Sequence, residues 1–237
     1  MAEGLTLSST IVWAFLGGLI PALFWLIFWL QEDKIHPEPK GVIALAFVAG
    51  MGSVLLALPL ELMFAHYIPE GVLRIVLWAA SEELVKYWAA SYSAFHHNRS
   101  FDEPVDAMIY LISAALGFAA AENAFFIFGA LHDFPITVAL MSGGMRFVGA
   151  SLLHVLASAT VGVVIAFSFY RNKFVKEWHL VLGLLLAVVL HTGFNFLILF
   201  LESQGLQAYT LGVFGLVWAG ILILIFYFEK VKAIVQT

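Results

Sequence analysis

The chain has 237 residues, 62% of them hydrophobic and only 11% charged, with a mean hydropathy of +0.98. That charge is too sparse to cover a water-soluble domain, so the bilayer is the solvent for most of the chain. A formal net charge of −5 argues against nucleic acid as a partner, and the lack of cysteine excludes disulfides, thiol catalysis and thiolate metal sites.

The start, MAEGLTLSST, has no basic stretch of the signal-peptide kind, and the apolar run behind it ends in charge rather than at a small-residue cleavage site. It is expected to remain as a first span. Segments able to cross the hydrocarbon lie at roughly 9–30, 42–64, 71–95, 104–130, 145–170, 178–201 and 208–228. Backbone groups in lipid must be satisfied within each segment, so the fold class is all-α. The expected architecture is a polytopic bundle of about seven transmembrane helices forming one domain over 1–237, with the chemistry in helices of about 71–201. The stretch near 134–144 is apolar but too short to span, which leaves a re-entrant turn, a surface helix or a lengthened fifth helix.

Basic residues set the expected topology. Lys34, Lys40, Arg99, Arg171, Lys173, Lys176, Lys230 and Lys232 fall in alternate connectors or at the carboxyl end. By the positive-inside rule the N-terminus is outside and the C-terminus cytoplasmic. Small residues at four-residue spacing (Ala46 and Gly50, Gly117 and Ala121, Gly162 and Ala166) read as ordinary close helix packing.

The third segment carries Glu82 and Glu83 side by side, with Lys86 one turn later. Carboxylates in hydrocarbon cost roughly 2.5–3.5 kcal/mol each even on a lenient scale, so an intramembrane pair normally serves chemistry or transport. Counting from the outer helix ends at 1.5 Å per residue puts the pair at about 17 Å and Glu122, His154 and His191 at about 12–15 Å. Asn195 is a turn shallower, on the face of His191. Four helices thus contribute polar groups to one slab in the outer half of the membrane. Taken singly, Asn123 and Asn195 read equally well as hydrogen-bonding glue between helices. Asp106, Tyr110, Glu61, His66, Arg74, His132, His179 and the His96–His97 pair read as interfacial and solvated. Arg146 stands out among the interfacial residues because it leads into the segment bearing His154.

Paired carboxylates in low dielectric push their pKa values apart, the arrangement wanted for activating water and then protonating a leaving amine. A His and an Asn on one face can donate to an oxyanion. Two imidazoles and a carboxylate also suit Zn²⁺, with His154, His191 and Glu122 as the candidate set, although no HExxH is present. The same residues suit a proton- or metal-coupled transporter. A retinal photoreceptor is excluded, since the seventh segment has no lysine within about 208–228.

SEELVKY (Ser81–Tyr87), GFAAAEN (Gly117–Asn123), the single His154 in the next helix and HTGFN (His191–Asn195) together resemble the PrsW family of intramembrane proteases, relatives of the CAAX-prenyl and bacteriocin-processing endopeptidases. The resemblance implies a multipass peptidase of a prokaryotic plasma membrane, cleaving a membrane-anchored substrate of the anti-sigma-factor type near its outer boundary. It implies Glu82 as water-activating base, Glu83 as its support, His154 as a second catalytic or positioning group, and His191 with Asn195 at the oxyanion or a metal. Lys86 departs from the prenyl-processing relatives, where arginine is usual, which disfavours a prenylated substrate.

Overall fold

A computed structural model describes residues 6–32, 36–95, 100–134 and 136–234. Lys34, the His96–His97 pair and Arg99 lie outside the described residues. The fold is all-α, with no strand among the described residues. Eight helices follow in chain order: α1 (Leu7–Leu30), α2 (Lys40–Tyr67), α3 (Val72–Ala90), α4 (Asp106–Asp133), α5 (Ile136–Val148), α6 (Ala150–Phe167), α7 (Lys173–Ser203) and α8 (Thr210–Lys232). α3 runs on through a π-helical turn, Ser91–Phe95.

Among the described residues, six spans are long and apolar enough to cross a membrane, with α5 and α6 counted as one. The chain is a multi-pass membrane protein. The seventh expected span, α3, has 19 residues, about 28 Å, but Arg74, Glu82, Glu83 and Lys86 set it apart in polarity. It tolerates those charges because its polar face is sheltered by α2, α4, α6 and α7. The expected helix ends agree to within a few residues, with one informative exception. The fifth span begins earlier, at Ile136: the Gly149 N–H donates to the Met145 carbonyl and the Leu153 N–H to the Gly149 carbonyl, so α5 runs on into α6 with one turn residue between them and lengthens the fifth helix. α5 packs against α4, α6 and α1.

α4 is the axis of the bundle. Almost every residue from Asp106 to Ala120 is buried, with α1, α2 and α6 packed around it. Close approach demands small residues: a Cβ on Gly117 would overlap the Phe47 carbonyl oxygen, and one on Gly50 the Ala114 carbonyl oxygen. The large apolar side chains of α1, α7 and α8 that remain exposed form the lipid-facing surface. α1 and α8 close against each other through Trp25–Trp218 and Trp29–Phe228 ring contacts at 5.7 and 5.8 Å.

At the N-terminal end of α4 the structure departs from the solvated reading. Asp106 and Tyr110 are fully enclosed. One Asp106 carboxylate oxygen accepts the Asp102 and Glu103 backbone N–H groups at 2.9 and 2.7 Å, and the Tyr110 hydroxyl donates to Glu38. Burial pushes the Glu38 carboxyl above its ordinary range, with Tyr110 partly offsetting the shift and Asp102 and Glu103 adding to it.

Two outcomes follow. Gly117→Val is expected to destabilise the protein by about 1–3 kcal/mol or more through overpacking, whereas Gly52→Ala, whose Cβ meets open space, should be neutral or stabilise by about 0.5–1 kcal/mol; thermal unfolding in detergent measures both. Because folding raises the Glu38 pKa, the protonated form is the stabilised one. Its contribution is complete below about pH 4.5 and is lost as pH rises through the folded value. The melting temperature of Glu38→Gln relative to the parent should therefore rise with pH from about 4.5 and level off once Glu38 is ionised in the folded protein.

Candidate functional site

Five of the six residues that the sequence singles out as catalytic meet in one place. Glu82, Glu83 and Lys86 come from the middle of α3, Glu122 from α4, His154 from the second turn of α6 and His191 from α7. All are buried except Glu122, which is a third exposed at its side chain.

Lys86 is the hub. Its ammonium is wholly buried and lies 2.8 Å from Glu83 Oε1, 3.4 Å from Glu82 Oε2 and 2.7 Å from His154 Nδ1, with the Phe118 ring 4.4 Å away. The two glutamates are not equivalent. Glu83 is saturated: besides Lys86 it holds His191 Nδ1 at 2.8 Å on Oε1 and the Ser158 hydroxyl at 3.2 Å on Oε2. Glu82 keeps all its contacts on Oε2, which faces His154 Nδ1 at 3.9 Å and His191 Nε2 at 3.8 Å. Adjacent residues on a helix point about 100° apart, so the doublet divides into one anchoring and one facing carboxylate.

The hydrogen bonds also orient the imidazoles. His154 Nε2 is held at 2.9 Å by Glu122, and His191 Nδ1 by Glu83. Each histidine gives one ring nitrogen to an outer carboxylate and turns the other toward Glu82. His154 Nδ1 accepts from the Lys86 ammonium, while His191 stands between the two glutamates, with Nδ1 on Glu83 and Nε2 toward Glu82.

A second tier fixes Glu122. Arg146 in the last turn of α5 places a guanidinium nitrogen 2.8 Å from Glu122, while its Nε donates to Asn123 Oδ1 at 2.5 Å. The Asn123 amide then donates to Ser151 Oγ at 2.9 Å. Arg146 thus links Asn123 to Glu122, and through Glu122 to His154. Asn195 is half-buried one turn beyond His191, and no hydrogen bond joins it to the cluster among the described residues.

Three residues escaped the sequence reading. Ser151 and Ser158 flank His154 at helical spacing, a polar stripe on α6 that was legible. Glu61 read as interfacial because α2 seemed to end at about 64. The helix runs on to Tyr67, and Glu61 lies partly buried within electrostatic reach of Glu82, Glu122, Lys86 and His191. By contrast, the His132–Asp133 pair is two-thirds exposed, as expected.

Glu82, His154 and His191 each offer a ligand atom within 4.8 Å of the other two, a Glu/His/His group of the kind that binds a divalent ion. The set differs from the one expected from the sequence in that Glu82 replaces Glu122, whose carboxylate is turned to the far nitrogen of His154. The donor chemistry fits. Two ring nitrogens and one carboxylate oxygen converge, and Glu83 and Glu122 supply the outer carboxylates that commonly orient metal-bound imidazoles. An ion would compete with Lys86 for His154 Nδ1.

Residues 38–226 match the profile of the PrsW family intramembrane metalloproteases. The chain belongs to the PrsW family. It is 29% identical to Protease PrsW of Geobacillus kaustophilus over 217 residues, covering 86% of this chain and 87% of that protein. It is 29% identical to Protease PrsW of Clostridioides difficile over 193 residues (78% and 79%) and 28% identical to that of Bacillus subtilis over 199 residues (78% and 83%). No solved structure matches. Membership of PrsW makes the chain an intramembrane protease of the plasma membrane and displaces the transporter reading.

Lys86→Met should leave Glu83 and Glu82 buried without their cation and cost about 3–5 kcal/mol in stability. Adding Glu83→Gln should recover part of that loss in the same unfolding measurement; a double mutant no more stable than Lys86→Met would contradict the assigned pairing.

Proposed function

We propose that this protease hydrolyses a peptide bond of a membrane-anchored protein near the outer boundary of the bilayer, with water rather than a side chain as nucleophile. One observation carries the reading: Glu82 alone among the buried carboxylates faces both imidazoles while leaving an oxygen, Oε1, without a protein contact among the described residues. Neither cluster serine is bonded to an imidazole; Ser158 is committed to Glu83 and Ser151 to Asn123, which speaks against a serine acyl-enzyme.

Glu82 Oε1 takes a proton from water as the water oxygen bonds to the scissile carbonyl carbon and the carbonyl π pair moves to its oxygen. Asn195, with its amide uncommitted, supplies a donor for that oxyanion, and the Lys86 ammonium offsets the charge gathering beside Glu82. Glu82 then hands the proton to the amide nitrogen as the C–N bond breaks, leaving an acid and an amine. A zinc ion held by Glu82 Oε2, His154 and His191 would supply Lewis acidity and a bound water that ionises near neutral pH. Glu83 and Glu122 hold the rings in register throughout.

The alternation of basic connectors supports an extracytoplasmic N-terminus, which puts the start of α3, the end of α7 and hence the nearer approach to the site on the outer side. A single-pass protein of the anti-sigma-factor type, cut close to its outer boundary, suits that placement.

The test uses the purified protein with single-pass reporter substrates. Glu82→Gln, Glu83→Gln and His191→Ala should each lower cleavage by about 10²-fold or more. Wild-type rates in all three would sink the proposal. Elemental analysis should return about one zinc per wild-type chain and none in His191→Ala.

A further inference from the structure

Above the site, between the first turns of α3 and the last turns of α7, lies an open cleft of about 430 Å³ that no step of the chemistry uses. Its walls are Ile75 and Trp78 on one side and Phe196, Leu199 and Phe200 on the other. It adjoins the site along both helices: Trp78 is one turn before Glu82, and Phe196 follows Asn195 directly. Trp78 is pinned by its indole N–H, which donates to the Glu61 carbonyl at 3.0 Å and ties this wall to α2. Gly71, at φ 152°, turns the chain into α3 at the rim, a conformation that other residues adopt only with strain.

Among the described residues, the one cation lining the cleft is Arg74. Its side chain is only 16% exposed, and its Nε donates to the Ile68 carbonyl at 2.9 Å, which orients the guanidinium. Its single ion-pair partner among the described residues is Glu70, 3.7 Å away on a side chain that is 92% exposed. A pair so open to water neutralises little. The cleft therefore combines apolar and aromatic walls with an under-neutralised, oriented guanidinium whose planar fork matches a carboxylate.

We propose that this cleft is a substrate subsite, and that Arg74 selects an acidic side chain in an extended segment of the substrate flanking the scissile bond. This rests on the peptidase reading above and adds a rule for which sequences are cut. Arg74 precedes Glu82 by two helical turns, about 12 Å along α3. An extended chain covers that distance in about three to four residues, which sets the position of the acid relative to the cut.

The test is a library of single-pass reporters, randomised over the outer juxtamembrane stretch and co-expressed with the full-length protease, with the cleaved pool sequenced. Asp and Glu should be enriched about fivefold or more at one position three to four residues from the cut. Arg74→Gln should abolish that enrichment, and Arg74→Glu should replace it with Lys and Arg. No acidic enrichment, the same enrichment in Arg74→Gln, or a uniform slowing of every member by Arg74→Gln overturns the assignment; in the last case Arg74 serves the fold or a lipid headgroup. A second arm reads binding without cleavage. In Glu82→Gln carrying a photoreactive benzophenone amino acid in place of Leu199, a reporter with Asp at the selected position, or at the fourth residue from the membrane boundary if nothing is cut, should crosslink about fivefold better than its Asn counterpart. Equal yields overturn the proposal whatever the cleavage data. Discrimination in crosslinking with no cleavage by wild type keeps the subsite and rejects the peptidase reading.

Discussion

A wholly buried ammonium holds the site together. Lys86 has no access to solvent and is met at contact distance by Glu83, Glu82, His154 and the face of Phe118. Placing a lysine and two carboxylates inside a bundle is costly unless each charge meets its complement at contact distance. Once Lys86 is fixed, α6 and α7 must bring their histidines to the same point, because those side chains complete the coordination of the charges. The glycine-lined crossing of α2 and α4 serves the same end, since only backbones in near contact leave the polar face of α3 sealed from lipid.

Within that shell, hydrogen bonding divides the labour. Glu83 and Glu122 look alike in sequence terms to Glu82, yet each is consumed by holding the far nitrogen of an imidazole. The outcome is a centre where two ring nitrogens and one carboxylate oxygen face one another. The extended tier of Arg146, Asn123 and Ser151 reaches from α5 through α4 to α6, so the short α5 contributes to the geometry of a helix that it merely precedes.

The cleft over the site gives the bundle a direction. One end is closed by buried groups around Tyr110 and Asp106, while the other opens between α3 and α7 beside the cluster. A chain entering there meets aromatic walls before it meets Glu82. Hydrophobic burial suits the substrate of an intramembrane protease, and Arg74 adds the directional contact that apolar walls lack.

The linear chain determined a good deal of this. Apolar run lengths fixed the all-α class, and the shared depth of Glu82, Glu83, Glu122, His154 and His191 was readable by counting residues along each segment, because rise per residue is constant. Other features could not be read that way. Depth says nothing of azimuth, so which glutamate anchors and which faces the imidazoles depended on how α3 is rotated against α7. Glu122 seemed the natural metal ligand until α4 turned it to the outer nitrogen of His154. Glu61 passed for a surface residue because the end of α2 is set by packing against α3, through contacts such as the Trp78 bond, rather than by local polarity. Hydropathy records only the transfer cost of each residue along the chain; the partners that cancel that cost come from other helices, and only tertiary packing selects them.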